Sequence, residues 1–399
     1  MKRPASLRAA ARAAAKRALP EKLRRALRRP WPRERIDVPV IELITVRGAW
    51  PPTVIFPVPY AFYPDEDDRQ IVALDPYADR RPVVLPAVML NDIPRGGIRP
   101  SGPIENEQGA LVLESAKRLS HMLENPEIHR RATTTVDRHG IGSTIVAPMR
   151  IANYFHCLVD MLPRLYALER VGGEVELVFP DPMPRFADEL FERVMREGFT
   201  IGRYPPDVLV RFDAVRLSPF TTIWGNGMMR PEIAAWLRER LLGRPLGRDL
   251  SLPPRRLHVS RASARWHRAA NEDALVAALA NYDVETVRTE DLSVAQQLEL
   301  FAQAELIVGV HGAGLANMLT SDRASVVELS PSGVGSRFQL AYWSLARTCG
   351  HRYVAVPHPS ERHREEFDVD IDRVCAAVEL ALDGSADSPM GAVVLPLGS

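Results

Sequence analysis

A narrow polar stripe near residue 160 holds side chains that could move a proton. At 100° per residue, four residues fall within about 80° of one another on an otherwise apolar helix: Asn153, His156, Asp160 and Arg164. The stripe lacks Lys and Glu, the usual residues of a solvent-facing helix side. We therefore favour a cleft-facing functional role over a solvated face. Pro163 either kinks this helix or marks a first turn.

Two groups in the stripe could serve as a general base. Either the Asp160 carboxylate or the His156 imidazole could take a proton from a hydroxyl nucleophile. A carboxylate needs burial to raise its pKa for this work, whereas histidine already titrates near neutrality. The choice between the two stays open at this point.

The residues at 304–318 have the pattern of an anion site. An apolar run of strand length leads into a glycine turn, which opens a short helical pattern before a second strand at 325–329. Glycine lets the backbone come close to a ligand, and free N–H groups at a helix start attract phosphate. The turn lacks both the GxGxxG fingerprint and the Walker lysine, so a nucleoside diphosphate fits better than a dinucleotide. The predicted contacts are His311, Gly312, Ala313, Gly314, Leu315 and Asn317.

Three arginines and a glutamate complete the predicted anion site. Arg261, Arg265 and Arg268 lie between a predicted strand and a helix start, where ligands of open α/β sheets usually bind. Guanidinium groups suit phosphate oxygens, and an exposed basic loop is the alternative. Glu328, at the end of an apolar strand, either accepts hydrogen bonds from ribose hydroxyls or is a buried ion-pair partner. For His311 the alternative is a turn residue bonded to backbone.

Strands and helices alternate along the part of the chain that must position these residues. Strand patterns lie at 177–179, 208–217, 256–260, 284–287, 306–310, 326–329 and 353–356, and helical patterns lie at 187–198, 231–242, 271–281, 293–304 and 337–349. Capping residues mark two helix starts, Asn271 and the pair Ser293 and Gln296. The alternation predicts an α/β fold with parallel sheets and helices on both faces.

The first part of the chain is less regular. Proline-rich segments and short apolar runs predict strands at 38–46, 53–58 and 83–90, a helix at 111–125 and a buried strand at 143–147. A Gly- and Pro-rich stretch at 241–254 is the best linker candidate and divides the chain into two Rossmann-like halves. We therefore predict a basic tail at 1–30, an N-terminal α/β domain at 31–245, a C-terminal nucleotide-binding domain at 246–385 and a C-terminal tail at 386–399.

Composition excludes several classes of protein. The chain has 399 residues, 46% apolar and 25% charged, which is typical of a soluble globular protein with two domains. Three cysteines without CxxC spacing indicate neither a disulfide framework nor a zinc site, so a reducing cytosol is expected. No uncharged stretch reads as a membrane-spanning helix. No DxD-type motif is evident and the acidic run at 65–68 reads as a solvated turn, so we expect no metal and no cofactor.

A net charge of +1 hides a basic N-terminus. Residues 1–30 hold 11 Lys or Arg against one acidic residue, Glu21. Alanine-rich spacing permits a basic helix whose apolar face is weak. We favour attachment to an anionic membrane surface, with a solvated disordered tail as the alternative, and we expect no nucleic-acid partner. A secretory signal is disfavoured because the hydrophobic centre is missing.

The order and spacing of these blocks resemble glycosyltransferase family 61. The matching positions are Asn153 to His156 with Asp160, Pro163 and Arg164; Ser260, Arg261, Arg268, Asn271 and Glu272; Gly309 to Asn317; and Val327 to Pro331. The resemblance spans roughly residues 144–358, and it departs from the family at Cys157, where an aromatic residue is common. It implies a GT-B fold, with two Rossmann-like domains facing across a cleft, and an inverting transfer from a nucleotide sugar, often UDP-linked. Bacterial members look like capsule or exopolysaccharide enzymes.

The resemblance also implies roles and partners. Asp160 or His156 would be the base, Asn153 and Arg164 would lie on the acceptor side, and the donor would contact Arg261, Arg265, Arg268, Glu328 and the glycine turn. The expected partners are a nucleotide-sugar donor and a glycan or lipid-linked glycan acceptor. We expect a cytoplasmic location, with the basic tail on the inner face of the membrane.

Two other classes of function stay open. A catalytically inactive nucleotide-sugar or glycan binding protein would keep Arg261 and the glycine turn but would need no base. A phosphate-handling transferase would use the same anion site, yet it should require a divalent ion and carboxylate ligands. A serine hydrolase is disfavoured because the chain has no GxSxG elbow.

Overall fold

A computed structural model describes most of the chain beyond residue 82. The described residues are 43–44, 50–56, 58, 60–62, 83–85, 87–115, 132–147, 151–222, 227–332, 340–359, 366–383 and 392–395. The chain divides into two compact units, Met1–Val40 and Ile41–Ser399, and every element below belongs to the second. The basic tail at 1–30, the acidic run at 65–68, most of the predicted helix at 111–125 and most of the tail at 386–399 lie outside the described residues.

A ten-stranded mixed sheet comes from the first part of this unit. Its order is β1-β8-β7-β6-β12-β9-β10-β11, and β5 pairs with both β12 and β2. The strands β12, β9, β10 and β11 run parallel, whereas β5 and β6 are antiparallel to β12. The strands are β1 (Leu43–Ile44), β2 (Pro52–Phe56), β5 (Val88–Pro94), β6 (Gly97–Ile98), β7 (Ile104–Glu105), β8 (Leu111–Val112), β9 (Thr134–Ser143), β10 (Val175–Pro180), β11 (Phe199–Tyr204) and β12 (Val208–Leu217); β3 (Tyr60–Phe62) and β4 (Val83–Leu85) form a separate antiparallel pair.

A second sheet of six parallel strands comes from the later part of the chain. Its order is β14-β13-β15-β16-β17-β18. The central strand β15 is buried at six of its seven positions, as its apolar sequence predicts for a parallel strand covered on both faces. The strands are β13 (Arg255–Val259), β14 (Glu285–Val287), β15 (Ala304–Val310), β16 (Ser325–Ser332), β17 (Arg352–Pro359) and β18 (Ala392–Val394).

Helices connect these strands. They are α1 (Tyr154–His156), a π-helical turn (Cys157–Met161), α2 (Arg164–Val171), α3 (Arg185–Val194), α4 (Pro231–Leu242), α5 (Glu272–Leu279), α6 (Val294–Ala302), a 3₁₀ segment (Ala313–Thr320), α7 (Ala341–Cys349) and α8 (Ile371–Leu382), with short 3₁₀ turns at Leu113–Ser115, Ala280–Tyr282 and Thr289–Asp291. The capping box of Ser293 and Gln296 is confirmed at the start of α6. Asn271 precedes α5 without capping it, because its side-chain amide pairs with the backbone of Val369.

Pro163 explains why the helix near residue 160 is not regular. Proline has no N–H, so it cannot donate the hydrogen bond that Val159 O would accept in an α-helix. The chain widens instead, and Leu162 N donates to Cys157 O at 3.0 Å, five residues back. Such π turns are rare and frequently occur at functional sites.

Two of the predicted early elements are wrong. The strand predicted at 143–147 ends at Ser143, and residues 144–147 are irregular although buried. The strand that ends at Ser143 is β9, which has a polar and mostly exposed sequence. A search for alternating apolar residues therefore could not reveal it. Within the predicted helix at 111–125, residues 111–112 form β8 and 113–115 form a 3₁₀ turn.

One hydrophobic core runs from the first sheet to the second. It includes Leu177 of β10, Ile307 of β15, and Leu237, Leu315 and Trp343 from the helical segments between the sheets. The predicted linker at 241–254 covers the end of α4 and an irregular segment before β13. The structure therefore gives a mixed α/β fold in which helices pack the two sheets into one core.

Candidate active site

His156 and Asp160 form a hydrogen-bonded pair at the π turn. His156 Nδ1 lies 2.7 Å from Asp160 Oδ2, and Asp160 Oδ1 accepts a hydrogen bond of 2.8 Å from Thr222 Oγ1. The Asp160 side chain is 3% exposed, whereas that of His156 is 16% exposed. Because Nδ1 faces the carboxylate, Nε2 is the imidazole atom left for a substrate, and it makes no hydrogen bond to a described residue.

The predicted polar stripe does not form one cleft surface. Asn153 is exposed and caps α1 by accepting a hydrogen bond of 3.3 Å from His156 N. Arg164 is fully buried, which corrects the prediction that it lines the cleft. Its Nε and Nη2 donate to Ser218 O at 3.0 and 2.5 Å, and Nη1 reaches Val146 O at 3.5 Å. The π turn adds a residue to the helical turn and so carries Arg164 inward.

Arg164 is a buried residue behind the pair of His156 and Asp160. Burial lowers its pKa to about 9, and the Asp160 carboxylate opposes this shift. Its guanidinium carbon lies 4.4 Å from the centre of the Phe220 ring. The carbonyls it binds belong to the segments that follow β9 and β12. Arg164 thus links the segments that follow β9 and β12.

The pair of His156 and Asp160 lies at the switch point of the first sheet, between β9 and β12, where successive strands begin to be added on the other side. From β9 the chain passes to β10 on one side, while β12 lies on the other side. Thr222, the partner of Asp160, follows the carboxyl end of β12, and Val146 follows that of β9. Crevices at such switch points are the usual ligand sites of open α/β sheets.

His311 and Glu328 form a second pair, at the end of β15. His311 Nδ1 lies 2.5 Å from Glu328 Oε1, and the Tyr353 hydroxyl donates to the other carboxylate oxygen. The Glu328 side chain is 0% exposed and that of His311 is 13% exposed. Both oxygens of Glu328 are used within the protein, so the structure matches the alternative of a buried ion-pair partner rather than a ribose acceptor. His311 Nε2 makes no hydrogen bond to a described residue.

Arg261 packs directly against the glycine turn. A Cβ added to Gly312 would overlap Arg261 Nη1, so the missing side chain makes room for the guanidinium. Arg261 Nε donates to His267 O at 3.0 Å and Nη2 donates to Trp266 O at 2.7 Å. Nη1 makes no hydrogen bond to a described residue. Burial lowers the pKa of Arg261, and the nearby Tyr342, Glu290 and Glu272 counter that shift.

The other two predicted arginines do not lie against the turn. Arg265 is exposed, with its guanidinium carbon 4.8 Å from the Trp266 ring centre. Arg268 forms an ion pair with Glu366. Of the three, only Arg261 combines partial burial with a guanidinium nitrogen at the glycine turn.

The 3₁₀ segment after Gly312 supplies main-chain groups rather than side chains. The N–H groups of Gly312, Ala313 and Gly314 make no hydrogen bond to a described residue, as expected at a helix start. Leu315 and Asn317, which were also predicted as donor contacts, are buried, and Leu315 N donates to Gly312 O at 3.0 Å. Asn317 Nδ2 donates to Gln297 Oε1 at 2.9 Å and to Gly314 O at 3.1 Å, while its Oδ1 accepts from Tyr154 at 2.6 Å.

A row of aromatic rings joins the two histidine pairs. Phe155 contacts His156 at a ring-centre distance of 5.4 Å and Tyr342 at 5.4 Å, and Tyr342 contacts His311 at 4.9 Å. Only two rings separate the imidazoles. The polar stripe and the glycine turn, which are about 150 residues apart in the sequence, are therefore close together in the fold.

Comparison with known families assigns the region that contains this site. Residues 154–327 match the model of the family Glycosyltransferase 61. The matched segment is similar to this family over somewhat less than half of the chain. The protein is accordingly a glycosyltransferase, as the sequence blocks predict. None of the curated proteins matches the chain.

The glycosyltransferase 61 match includes most of the site but not all of it. It begins at Tyr154, covers the first histidine pair, Arg261 and the glycine turn, and ends one residue before Glu328. Tyr342 and Tyr353 lie beyond it. The second sheet thus contributes side chains to the site from outside the matched region.

A small pocket opens beside Arg261 in the matched region. Its volume is about 50 Å³, and its lining includes Ser260, Arg261, Thr289, Gly312 and Gly314. It lies at the carboxyl ends of β13 and β15, where the order of the second sheet reverses. A larger groove of about 520 Å³ runs beside the edge strand β14 and contains none of the predicted site residues. The smaller pocket, which is lined by Arg261 and the glycine turn, is therefore the better candidate for an anion site.

Within the described ranges, no three His, Cys, Asp or Glu side chains are grouped to hold a metal ion. Among the described helices, none combines the length and apolar character needed to cross a bilayer.

Several residues of the site were missed by the sequence analysis. Thr222 contacts Asp160 from 62 positions away, Tyr342 contacts His311 from a helix 31 positions away, and Tyr353 contacts Glu328 from an adjacent strand. Tyr154 follows Asn153 but lies outside the polar stripe and was assigned no role, although it bonds Asn317. A hydroxyl residue within an apolar run, as at Tyr353, was the only local signal available.

Proposed function

We propose that the protein transfers a sugar, with inversion, from a nucleotide sugar to a hydroxyl of a glycan or lipid-linked glycan. The donor is UDP-linked, and no catalytic metal is needed. One observation carries the proposal: the carboxylate-bound imidazole of His156 is separated by two rings from His311 in the glycine turn, against which Arg261 packs. Base and leaving-group stabiliser must stand on opposite sides of the reacting carbon, and these two groups of residues are the candidates for the two roles.

His156 is the group proposed to take the acceptor proton. As the acceptor oxygen bonds to the anomeric carbon, its proton passes to His156 Nε2. Asp160, which faces Nδ1, stabilises the imidazolium that forms. Exposure supports this role, since the imidazole is 16% exposed and the carboxylate only 3%. Asn153, exposed at the start of α1, is proposed to contact the acceptor.

The departing diphosphate is proposed to lie at the glycine turn. The bond from the anomeric carbon to the phosphate oxygen breaks, and its electron pair leaves with the nucleoside diphosphate. Arg261 Nη1 and the N–H groups of Gly312, Ala313 and Gly314 would stabilise the added charge. Fixed donors at the place where charge develops can replace a metal ion in this work.

The larger setting is proposed from the family resemblance and from the charge of the chain. The family resemblance supports a GT-B arrangement and a bacterial capsule or exopolysaccharide product. The charge of residues 1–30 supports a cytoplasmic enzyme held on the inner membrane face. Deleting residues 1–30 should reduce flotation with anionic liposomes and leave soluble turnover unchanged; equal flotation would contradict the membrane role.

A donor screen tests the proposal. Purified protein is incubated with UDP-, GDP-, CDP- and ADP-sugars, with and without acceptor glycans, in the presence of EDTA, and released nucleotide is measured. We expect release from a UDP-sugar that an acceptor accelerates. Donor binding without release would instead indicate an inactive binding protein, and activity abolished by EDTA would contradict metal independence.

A further inference from the structure

Tyr342 is a buried residue of the site for which the proposed mechanism has no use. It is the second residue of α7 and is 3% exposed, with its ring against His311 and Phe155. Its hydroxyl makes no hydrogen bond to any residue that the structure describes. Tyrosines buried to this extent usually have a hydrogen-bond partner.

Two neighbouring tyrosines at this site use their hydroxyl groups for hydrogen bonds within the protein. The hydroxyl of Tyr353 donates to Glu328, and that of Tyr154 donates to Asn317. Both hold a residue of the glycine-turn region in place. Tyr342 lies among the same residues, but its hydroxyl makes no hydrogen bond to any of them. This hydroxyl is therefore available to a bound molecule.

Ring contacts place Tyr342 beside the glycine turn, because its ring centre lies 4.9 Å from that of His311. Burial, followed by the Glu328 carboxylate, raises the pKa of Tyr342 well above its usual value, while Arg261 lowers it. The phenol is therefore neutral at physiological pH and remains a hydrogen-bond donor.

We propose that the Tyr342 hydroxyl donates a hydrogen bond to the diphosphate of the bound donor, beside Arg261 Nη1 and the main-chain N–H groups. This inference rests on the proposed function, because it requires a nucleoside diphosphate at the glycine turn. The phenol keeps its proton throughout: the electron pair of the broken carbon–oxygen bond stays on the phosphate, and the hydrogen bond stabilises that charge.

Tyr342→Phe is the variant that tests this contact. It keeps the ring against His311 and Phe155 and removes only the oxygen. Tyr282→Phe is the matched control, because the Tyr282 hydroxyl donates to Glu379 at 2.7 Å at an exposed position away from the site. UDP binding is measured by calorimetry, uridine binding by ligand-observed NMR, and stability by thermal melting.

The expected result is selective for the diphosphate. Tyr342→Phe should bind UDP about 5- to 30-fold more weakly, with uridine affinity and melting temperature unchanged, and the control should match the wild type. Equal UDP affinity in Tyr342→Phe and wild type would overturn the inference and leave the proposed function standing. An equal loss for uridine would show a merely structural role and would also overturn it. Wild-type protein that binds no nucleoside diphosphate would instead reject the proposed function itself.

Discussion

Each histidine of the site is held by a carboxylate that water scarcely reaches. Asp160 is 2% exposed and Glu328 is 0% exposed, and each presents one oxygen to an Nδ1 atom. The carboxylates are also bound by a hydroxyl, from Thr222 and Tyr353 respectively. Such bonding fixes the tautomer and the ring orientation, so that Nε2 of each imidazole faces the site.

We predict that Asp160→Asn lowers kcat by about 10²- to 10⁴-fold, the range of general-base catalysis, with little change in donor affinity. The amide cannot stabilise the imidazolium that forms on His156. His156→Asn should have an effect of the same size, and the double variant should be no worse than either single variant. His139→Asn is the control, since that side chain is fully exposed. Near-wild-type turnover in Asp160→Asn would contradict the assigned roles.

Gly312→Ala should weaken UDP binding without removing any polar group. The added methyl overlaps Arg261 Nη1 and must displace the guanidinium. We expect a loss of about 1.5 to 3 kcal/mol in Gly312→Ala and in Arg261→Ala, and a double variant no weaker than the single ones, as measured by calorimetry. Arg255→Ala, at the opposite end of β13, is the control. Additive losses would mean that Gly312 and Arg261 act separately.

At the scale of elements, apolar patterning located most of the second sheet and the helices around it. The predicted strand at 306–310 lies within β15, and the helix at 231–242 is α4. Side-chain roles were harder to predict, because they depend on contacts between distant segments. Arg164 is charged, as cleft residues often are, yet it is directed to Ser218 O. The prediction assumed the 100° periodicity of a regular α-helix, which does not include the π turn that changes the direction of Arg164.

Pro163→Ala tests whether the π turn positions the first histidine pair. Alanine restores an N–H that can bond Val159 O, which favours a regular α-helix and changes the direction of Arg164 relative to His156. We expect a drop in kcat of about tenfold with no loss of melting temperature. Pro184→Ala, at the N-cap of α3, controls for the general effect of removing a proline. Unchanged turnover in Pro163→Ala would show that the π turn has no part in catalysis.

At the scale of the whole molecule, a continuous core joins the two halves of the site. Phe155 and Tyr342 belong to the same core cluster as Leu177 and Ile307 of the two sheets. The position of His156 relative to His311 is therefore set by packing as well as by the pairs themselves. The sequence could predict two αβ halves but not this shared core, since each helix pattern reports only its own apolar face.

Buried histidines should make the folded protein sensitive to acid. Burial lowers the pKa values of His258, His351 and His358 to about 4 each, against 6.5 in the unfolded chain. The unfolded state then binds more protons, so the stabilisation is present above pH 6.5 and is lost as the pH falls towards 4. The slope approaches about 1.4 kcal/mol per pH unit for each histidine.

Urea unfolding at several pH values between 4.5 and 7.5 measures this effect. The unfolding free energy should fall steeply below about pH 6. His351→Asn should be less stable than wild type at neutral pH, because His351 bonds Met318 O and Ala324 N, yet it should show a shallower pH dependence. A flat profile in the wild type would contradict the burial of these three rings as neutral groups.

The most direct test of the account is a crystal structure with UDP and an acceptor sugar bound. The diphosphate should lie within hydrogen-bond distance of Arg261 Nη1 and the N–H groups of Ala313 and Gly314. The acceptor hydroxyl should point towards His156 Nε2 across the gap in which the transferred sugar fits. A diphosphate bound in the groove beside β14, or an acceptor that meets neither histidine, would contradict the claim that the two pairs form one catalytic site.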